Sequence, residues 1–127
     1  MQKISLNIVK SLVFIGFGCV SGQALAQHWA FSDFPVTAIY NENVNLAGTY
    51  LAQTTSCGTQ CQQTHFTNLK TGKRLDSTLT STGGIQTRPA SRLIVVEQCN
   101  SDYHCQSEYW ILESDGALVQ LHESIKP

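Results

Sequence analysis

Three short apolar runs near the end of the chain, Leu93-Ile94-Val95-Val96, Tyr109-Trp110-Ile111-Leu112 and Leu118-Val119-Gln120-Leu121, are rich in β-branched and aromatic residues and are separated by polar turn signals. They predict a three-stranded antiparallel meander. Ser114-Asp115-Gly116 supplies its second turn, because Asp-Gly tolerates the positive φ that a tight hairpin needs, and its first turn is bounded by Cys99 and Cys105. Tyr109 and Trp110 are adjacent and so face opposite sides of the sheet, which puts one of them in the core. Upstream the alternation is weaker. Val36 to Tyr40 predicts a first strand, Asn41-Glu42-Asn43 a turn, and Leu46 to Gln53 a further strand with Tyr50 and Ala52 opposite Leu51. Gly48 marks a bulge or a close backbone approach.

Gln62 to Thr67 alternates weakly into Asn68-Leu69-Lys70-Thr71-Gly72-Lys73, a turn with Gly72 at the left-handed position. The Ser, Thr and Gly residues from Asp76 to Thr87 offer little to a core, and this stretch is expected to be the most mobile. Pro35 argues against a helix running through the aromatic start of the mature chain, where His28, Trp29, Phe31 and Phe34 are expected to cover one edge of the core. No stretch carries a helical period, although a short helix near that start is compatible with the sequence. The fold class is therefore mostly β: a small antiparallel sheet or sandwich of about six or seven strands, ending in the meander and stapled by two disulfides.

The stapling expectation follows from the compartment. Lys3 and Lys10, the apolar run from Ser11 to Val20 and the small-x-small site Ala24-Leu25-Ala26 predict a signal peptide over residues 1–26. The run is too short for a membrane anchor, and Gly16-Phe17-Gly18 fits poorly with lipid attachment at Cys19, so simple export to the periplasm or beyond is expected. What remains is a single domain over residues 27–127, whose net charge moves from −1 to −3 with the loss of the two lysines. Weak acidity gives no electrostatic case for nucleic acid. Cleavage also removes Cys19 and leaves Cys57, Cys61, Cys99 and Cys105, an even number in an oxidising compartment. Three pairings are open. Cys57 with Cys61 and Cys99 with Cys105 is favoured, because a turn and a hairpin already bring those ends together; each short loop is worth only about 2 kcal/mol in the chain-entropy model.

The candidate chemistry is sparse. The four cysteines with His65 and His104 are a conceivable zinc set, but C-x-x-x-C and C-x-x-x-x-x-C are not the usual knuckle spacings, and no metal or other cofactor is expected. Nothing helical follows Cys61, as a thiol oxidoreductase would need. No serine stands in an activating elbow, and Glu97, Glu108, Glu113 and Asp115 read as solvated residues on or beside the meander. Arg88 and Arg92, around Pro89 and Ser91, read as pins for a turn rather than as an anion site. A disulfide between Cys99 and Cys105 would turn Asn100-Ser101-Asp102-Tyr103-His104 into a rigid tip presenting an acid, an aromatic and an imidazole. Asp102, Tyr103 and His104 are the candidate binding residues.

Asn45-Leu46-Ala47-Gly48-Thr49-Tyr50, Cys57-Gly58-Thr59-Gln60-Cys61, Asn68 to Lys73, Arg88-Pro89-Ala90-Ser91-Arg92-Leu93-Ile94-Val95-Val96 and Tyr109 to Gly116 together resemble a family of small exported proteobacterial proteins. The resemblance runs from about Phe34 to Leu121 and implies fold and compartment rather than activity. The chain departs from that pattern at Leu46, where an aromatic is usual, and at Asn68, where an acid is usual, and its Cys99 to Cys105 hairpin is an addition. The stapled tip also distantly resembles the histidine-bearing loop that one family of periplasmic lysozyme inhibitors inserts into the enzyme's cleft.

The expectation is an exported periplasmic binding module without catalytic machinery, in its sharpest form an inhibitor or immunity protein whose partner is a cell-wall hydrolase or toxin. The alternatives are a small envelope enzyme, hydrolytic or dependent on thiols or metal, and a structural envelope protein with no discrete ligand.

Overall fold

The computed structural model describes residues Trp29–His122. The expected signal peptide, residues 1–26, lies outside them. A single 3-10 turn, Phe31–Asp33, opens the described chain, closed by the Asp33 carboxylate accepting from Ala30 N at 2.8 Å. It is the only helical element among the described residues, and no helix there is long and apolar enough to cross a membrane.

Seven strands follow in two antiparallel sheets. The first sheet has the order β1 (Tyr50–Gly58), β2 (Cys61–Asn68), β3 (Leu79–Ser81). The second has the order β4 (Ile85–Gln86), β5 (Leu93–Cys99), β6 (Cys105–Leu112), β7 (Leu118–Leu121), and its last three strands are the expected meander. Both sheets give one face to a common core. Tyr50, Phe66 and Leu79 come from the first sheet and Ile94, Val96 and Leu112 from the second, with Leu46 added from the loop before β1. Period-2 alternation decides the rest: Trp110 lies on the same face as Leu112 and packs against the core, while Tyr109 faces outward.

Local chemistry explains where the strands begin and end. Asn68 Oδ1 accepts from Lys70 N and Thr71 N, and Gly72, at φ 79°, closes the turn with its N–H on Asn68 O at 2.7 Å. Only a side-chain acceptor is needed at Asn68, so an asparagine serves there as an aspartate would. Leu46 is fully buried within the core cluster. Arg88 stacks on Phe31 at 4.5 Å and Arg92 lies over Phe34 while pairing with Glu113 at 3.2 Å, so both arginines pin the aromatic segment and the turn into β5.

Three expectations are corrected. Val36 to Tyr40 forms no strand; its hydrogen bonds go singly to two different segments, Val36 N to Ala90 O and Tyr40 N to Gly48 O, so no ladder develops. The strand expected from Leu46 starts only at Tyr50, because Ala47 and Gly48 both take positive φ and fold Leu46 back to bridge Tyr50. The polar stretch from Asp76 to Thr87 does contribute to the core. Its β3 buries Leu79 and Ser81 on one face and exposes Thr80 on the other, and the chain then passes to β4 of the second sheet.

Side-chain amides replace missing backbone partners at two places. Asn45 donates through Nδ2 to Ala52 O at 3.0 Å and accepts from Ala52 N at 2.7 Å, capping the free edge of β1 as a strand would. Asn45→Ala is expected to lower stability by about 1–2 kcal/mol, the value of two half-buried hydrogen bonds that water partly replaces. A urea titration with unchanged slope would record it. Gln98 does the same across the sheets, accepting from Thr82 N at 3.1 Å and donating to Thr80 O at 2.9 Å.

Candidate functional site

The site is built where β5 and β6 outrun the core. Cys99 and Cys105 face each other in the ladder with Cα atoms 4.0 Å apart and are joined by a disulfide, and Cys57 and Cys61 are joined across the β1–β2 turn. The favoured local pairing is the one present. Both thiols of each pair are joined in this state. Among the described residues no group of three His, Cys, Asp or Glu side chains is placed to hold a metal ion.

Within the staple a single side chain organises the tip. Asn100 Oδ1 accepts from Asp102 N at 2.9 Å and from His104 N at 3.0 Å. The backbone of Asn100 adds two more bonds, its O accepting from Tyr103 N and its N donating to His104 O, both at 3.0 Å. Four hydrogen bonds thus converge on one residue, which suits asparagine because its short amide oxygen reaches the backbone of the following turn. The result holds Tyr103 in the left-handed region at φ 63° with 82% of its surface exposed. Asp102 and His104 flank it, and both are exposed. All three sequence-predicted binding residues therefore stand together on one ordered, projecting tip.

The acids of the meander are not gathered into a site. Glu97 accepts from Ser107 Oγ at 2.7 Å on the outer face, whereas Glu108 accepts from Trp110 Nε1 at 3.4 Å on the inner face. The two are on opposite faces, because Glu108 pairs with Val96, one residue before Glu97, and both are half-buried. Glu113 pairs with Arg92, and Asp115 Oδ1 accepts from Ala117 N. Each acid has a structural partner. His65 sits on the outer face of β2, opposite Gln53, and His104 on the tip.

Beneath the tip is an element the sequence reading passed over. Thr82, in the β3–β4 linker, donates its hydroxyl to Cys99 O at 3.0 Å and accepts from Cys99 N, so the linker is fastened to the base of the staple. An open cleft of about 580 Å³ runs beside it, lined by Thr82, Gln98, Asn100, His104 and Gln106 as well as the disulfide. The signal for the two glutamines was present in the sequence, since Gln106 has the parity of Trp110 and Gln98 that of Ile94. The signal for Thr82 was not, since its partner is 17 residues away.

Fold and site together define a small, disulfide-stapled two-sheet β domain with an exposed tyrosine on a stapled hairpin tip. Compared with protein-family models, curated proteins and solved structures, the chain matches none.

Proposed function

We propose that the chain is an exported, non-enzymatic binding module of the periplasm whose stapled tip docks into the cleft of a protein partner, a cell-wall hydrolase or toxin that it inhibits. The observation that carries this reading is Tyr103, held outward at 82% exposure by a disulfide and the Asn100 network. A tyrosine fixed in this way gives a large contact area while losing few rotatable bonds on docking. Asp102 and His104 add a carboxylate and an imidazole for polar contacts at the rim of the same cleft. Paired cysteines fit the oxidising compartment, and the likeness of the tip to the loop of periplasmic lysozyme inhibitors suggests the class of partner.

The test uses the oxidised chain from Gln27 to Pro127 to capture partners from envelope and secreted extracts, followed by turbidity assays of wall lysis with each retained hydrolase. Stoichiometric inhibition of one hydrolase is expected. Tyr103→Ala should weaken it about 30-fold, the effect of an interface anchor worth about 2 kcal/mol, with no change in stability because the side chain touches nothing in the core. An inhibitor whose Tyr103→Ala and His104→Ala variants act as well as the parent would move the site off the tip, and the absence of any retained hydrolase would remove the inhibitor reading.

A further inference from the structure

The inner faces of the two sheets change character together. On β6 the same-face series runs Leu112, Trp110, Glu108, Gln106, and on β5 it runs Ile94, Val96, Gln98. On β1 it runs Tyr50, Ala52, Thr54, Ser56, and on β2 Phe66, Thr64, Gln62, with Leu79 and Ser81 beside them on β3. Both faces are apolar at one end and finish in hydroxyls and amides at the two disulfides, the change falling at the Thr54–Thr64 hydroxyl pair (2.7 Å) in the first sheet and at Glu108 in the second. The β3–β4 linker ties these ends to each other. A Cβ on Gly83 would stand 2.8 Å from Cys99 Sγ, and one on Gly84 3.5 Å from Gln62 Oε1, so the linker lies against both hairpins.

We propose that this stapled end is a binding surface for a neutral oligosaccharide. Two open clefts lie here: the one of about 580 Å³ at Thr82, Gln98 and Gln106, and a second of about 320 Å³ lined by Thr54, Ser56, Gln60 and Gln62. Neither lining contains a lysine, arginine, aspartate or glutamate. An anionic ligand would surrender its hydration without finding a counter-charge, and an apolar one would strip water from amides without replacing it. The carboxylate of Glu108, next to Gln106 on this face, is engaged by Trp110 Nε1. Sugar hydroxyls and acetamido groups instead exchange water for donors and acceptors of the same kind. Along the linker an added peptide strand finds no open edge, because Gly83 N donates to Glu97 O and Glu97 N to Gly84 O, both at 2.9 Å. What remains on offer is side chains. The Gln98 clamp and both staples fix the surface before any ligand arrives, which keeps the ordering cost of binding low.

This surface shares Asn100 and His104 with the tip but not Tyr103, so the Gln106→Ala and Tyr103→Ala variants tell its role apart from the tip's protein binding. The experiment is a 15N–1H NMR titration of the oxidised chain with triacetylchitotriose, with maltotriose and with an uncharged tetrapeptide. Saturable millimolar binding of at least one sugar is expected, with shifts centred on the side-chain amides of Gln62, Gln98 and Gln106 and the backbone of Thr82 and Asn100. Gln106→Ala should weaken it about fivefold, the loss of one neutral hydrogen bond, while Tyr103→Ala leaves it unchanged. No saturable shift with either sugar, shifts centred elsewhere, or saturation by the peptide alone would overturn the proposal.

Discussion

Phe66→Ala is expected to lower the unfolding free energy by about 3–5 kcal/mol, the range for truncating a fully buried aromatic. Phe66 lies in β2, is 0% exposed, and packs in the core cluster to which both sheets contribute. Its backbone is committed as well, since Phe66 O accepts from Leu75 N at 2.8 Å and the residue pairs with Ala52 in the ladder. The side chain therefore cannot be replaced by a local shift of the strand, and the cavity persists. Domains of this size have about 5–15 kcal/mol in total, so the variant should sit close to its folding limit. With a urea slope near 1–3 kcal/mol/M the midpoint should fall by at least about 1 M at constant slope. Val119→Ala, on the outer face with 40% exposure, serves as the reference and should cost under about 1 kcal/mol. Equal losses from the two variants would contradict a core shared between the sheets.

The second large effect separates two glycines with almost the same backbone. Gly48 has φ 80° and Gly72 has φ 79°, so an alanine at either suffers the same left-handed penalty of about 1–2 kcal/mol. Space distinguishes them. A Cβ at Gly72 meets nothing within 4 Å, whereas at Gly48 it would collide with the Ala38 carbonyl oxygen and stand 3.2 Å from Val36 Cγ2. Ala38 cannot simply withdraw, because Tyr40 N donates to Gly48 O at 2.7 Å, Gly48 N donates to Pro89 O at 2.8 Å and Val36 N to Ala90 O at 2.9 Å. Gly48 is where three segments cross. Gly72→Ala should thus cost about 1–2 kcal/mol, and Gly48→Ala clearly more, by breaking one of those hydrogen bonds or by strain of similar size. Thermal or urea unfolding of the pair measures the difference directly. A Gly48→Ala variant no less stable than Gly72→Ala would mean that the segment before β1 is not held as described.

The expectations that came true depend on information held within a few residues. The meander was legible because Leu93 to Val96, Tyr109 to Leu112 and Leu118 to Leu121 combine β-branched or aromatic side chains with an Asp-Gly turn, and the Asn68 to Lys73 turn because its glycine and asparagine each have a conformational task. The local disulfides were legible for the same reason, since hairpin geometry already brings Cys99 opposite Cys105. Tyr103 could be placed on a tip once that staple was assumed.

The misread segments are those whose partners are distant in sequence. Leu79 and Ser81 form only a three-residue alternation within a run of serines and threonines, and they become core because β2 lies alongside to pair with them. Val36 to Tyr40 has strand-like composition but finds no continuous neighbour. The faces of Glu97 and Glu108 depended on ladder register, which composition does not carry. The sequence by itself determined the strands and second turn of the meander, the Asn68 to Lys73 turn and a preference for local cysteine pairing, because propensity, turn chemistry and short loop closure act within a few bonds. Only the tertiary structure decided that the chain crosses between sheets after Ser81, that Gly48 receives three segments, and that amides and hydroxyls of separate strands gather at the stapled end, because those outcomes depend on which distant surfaces bury each other.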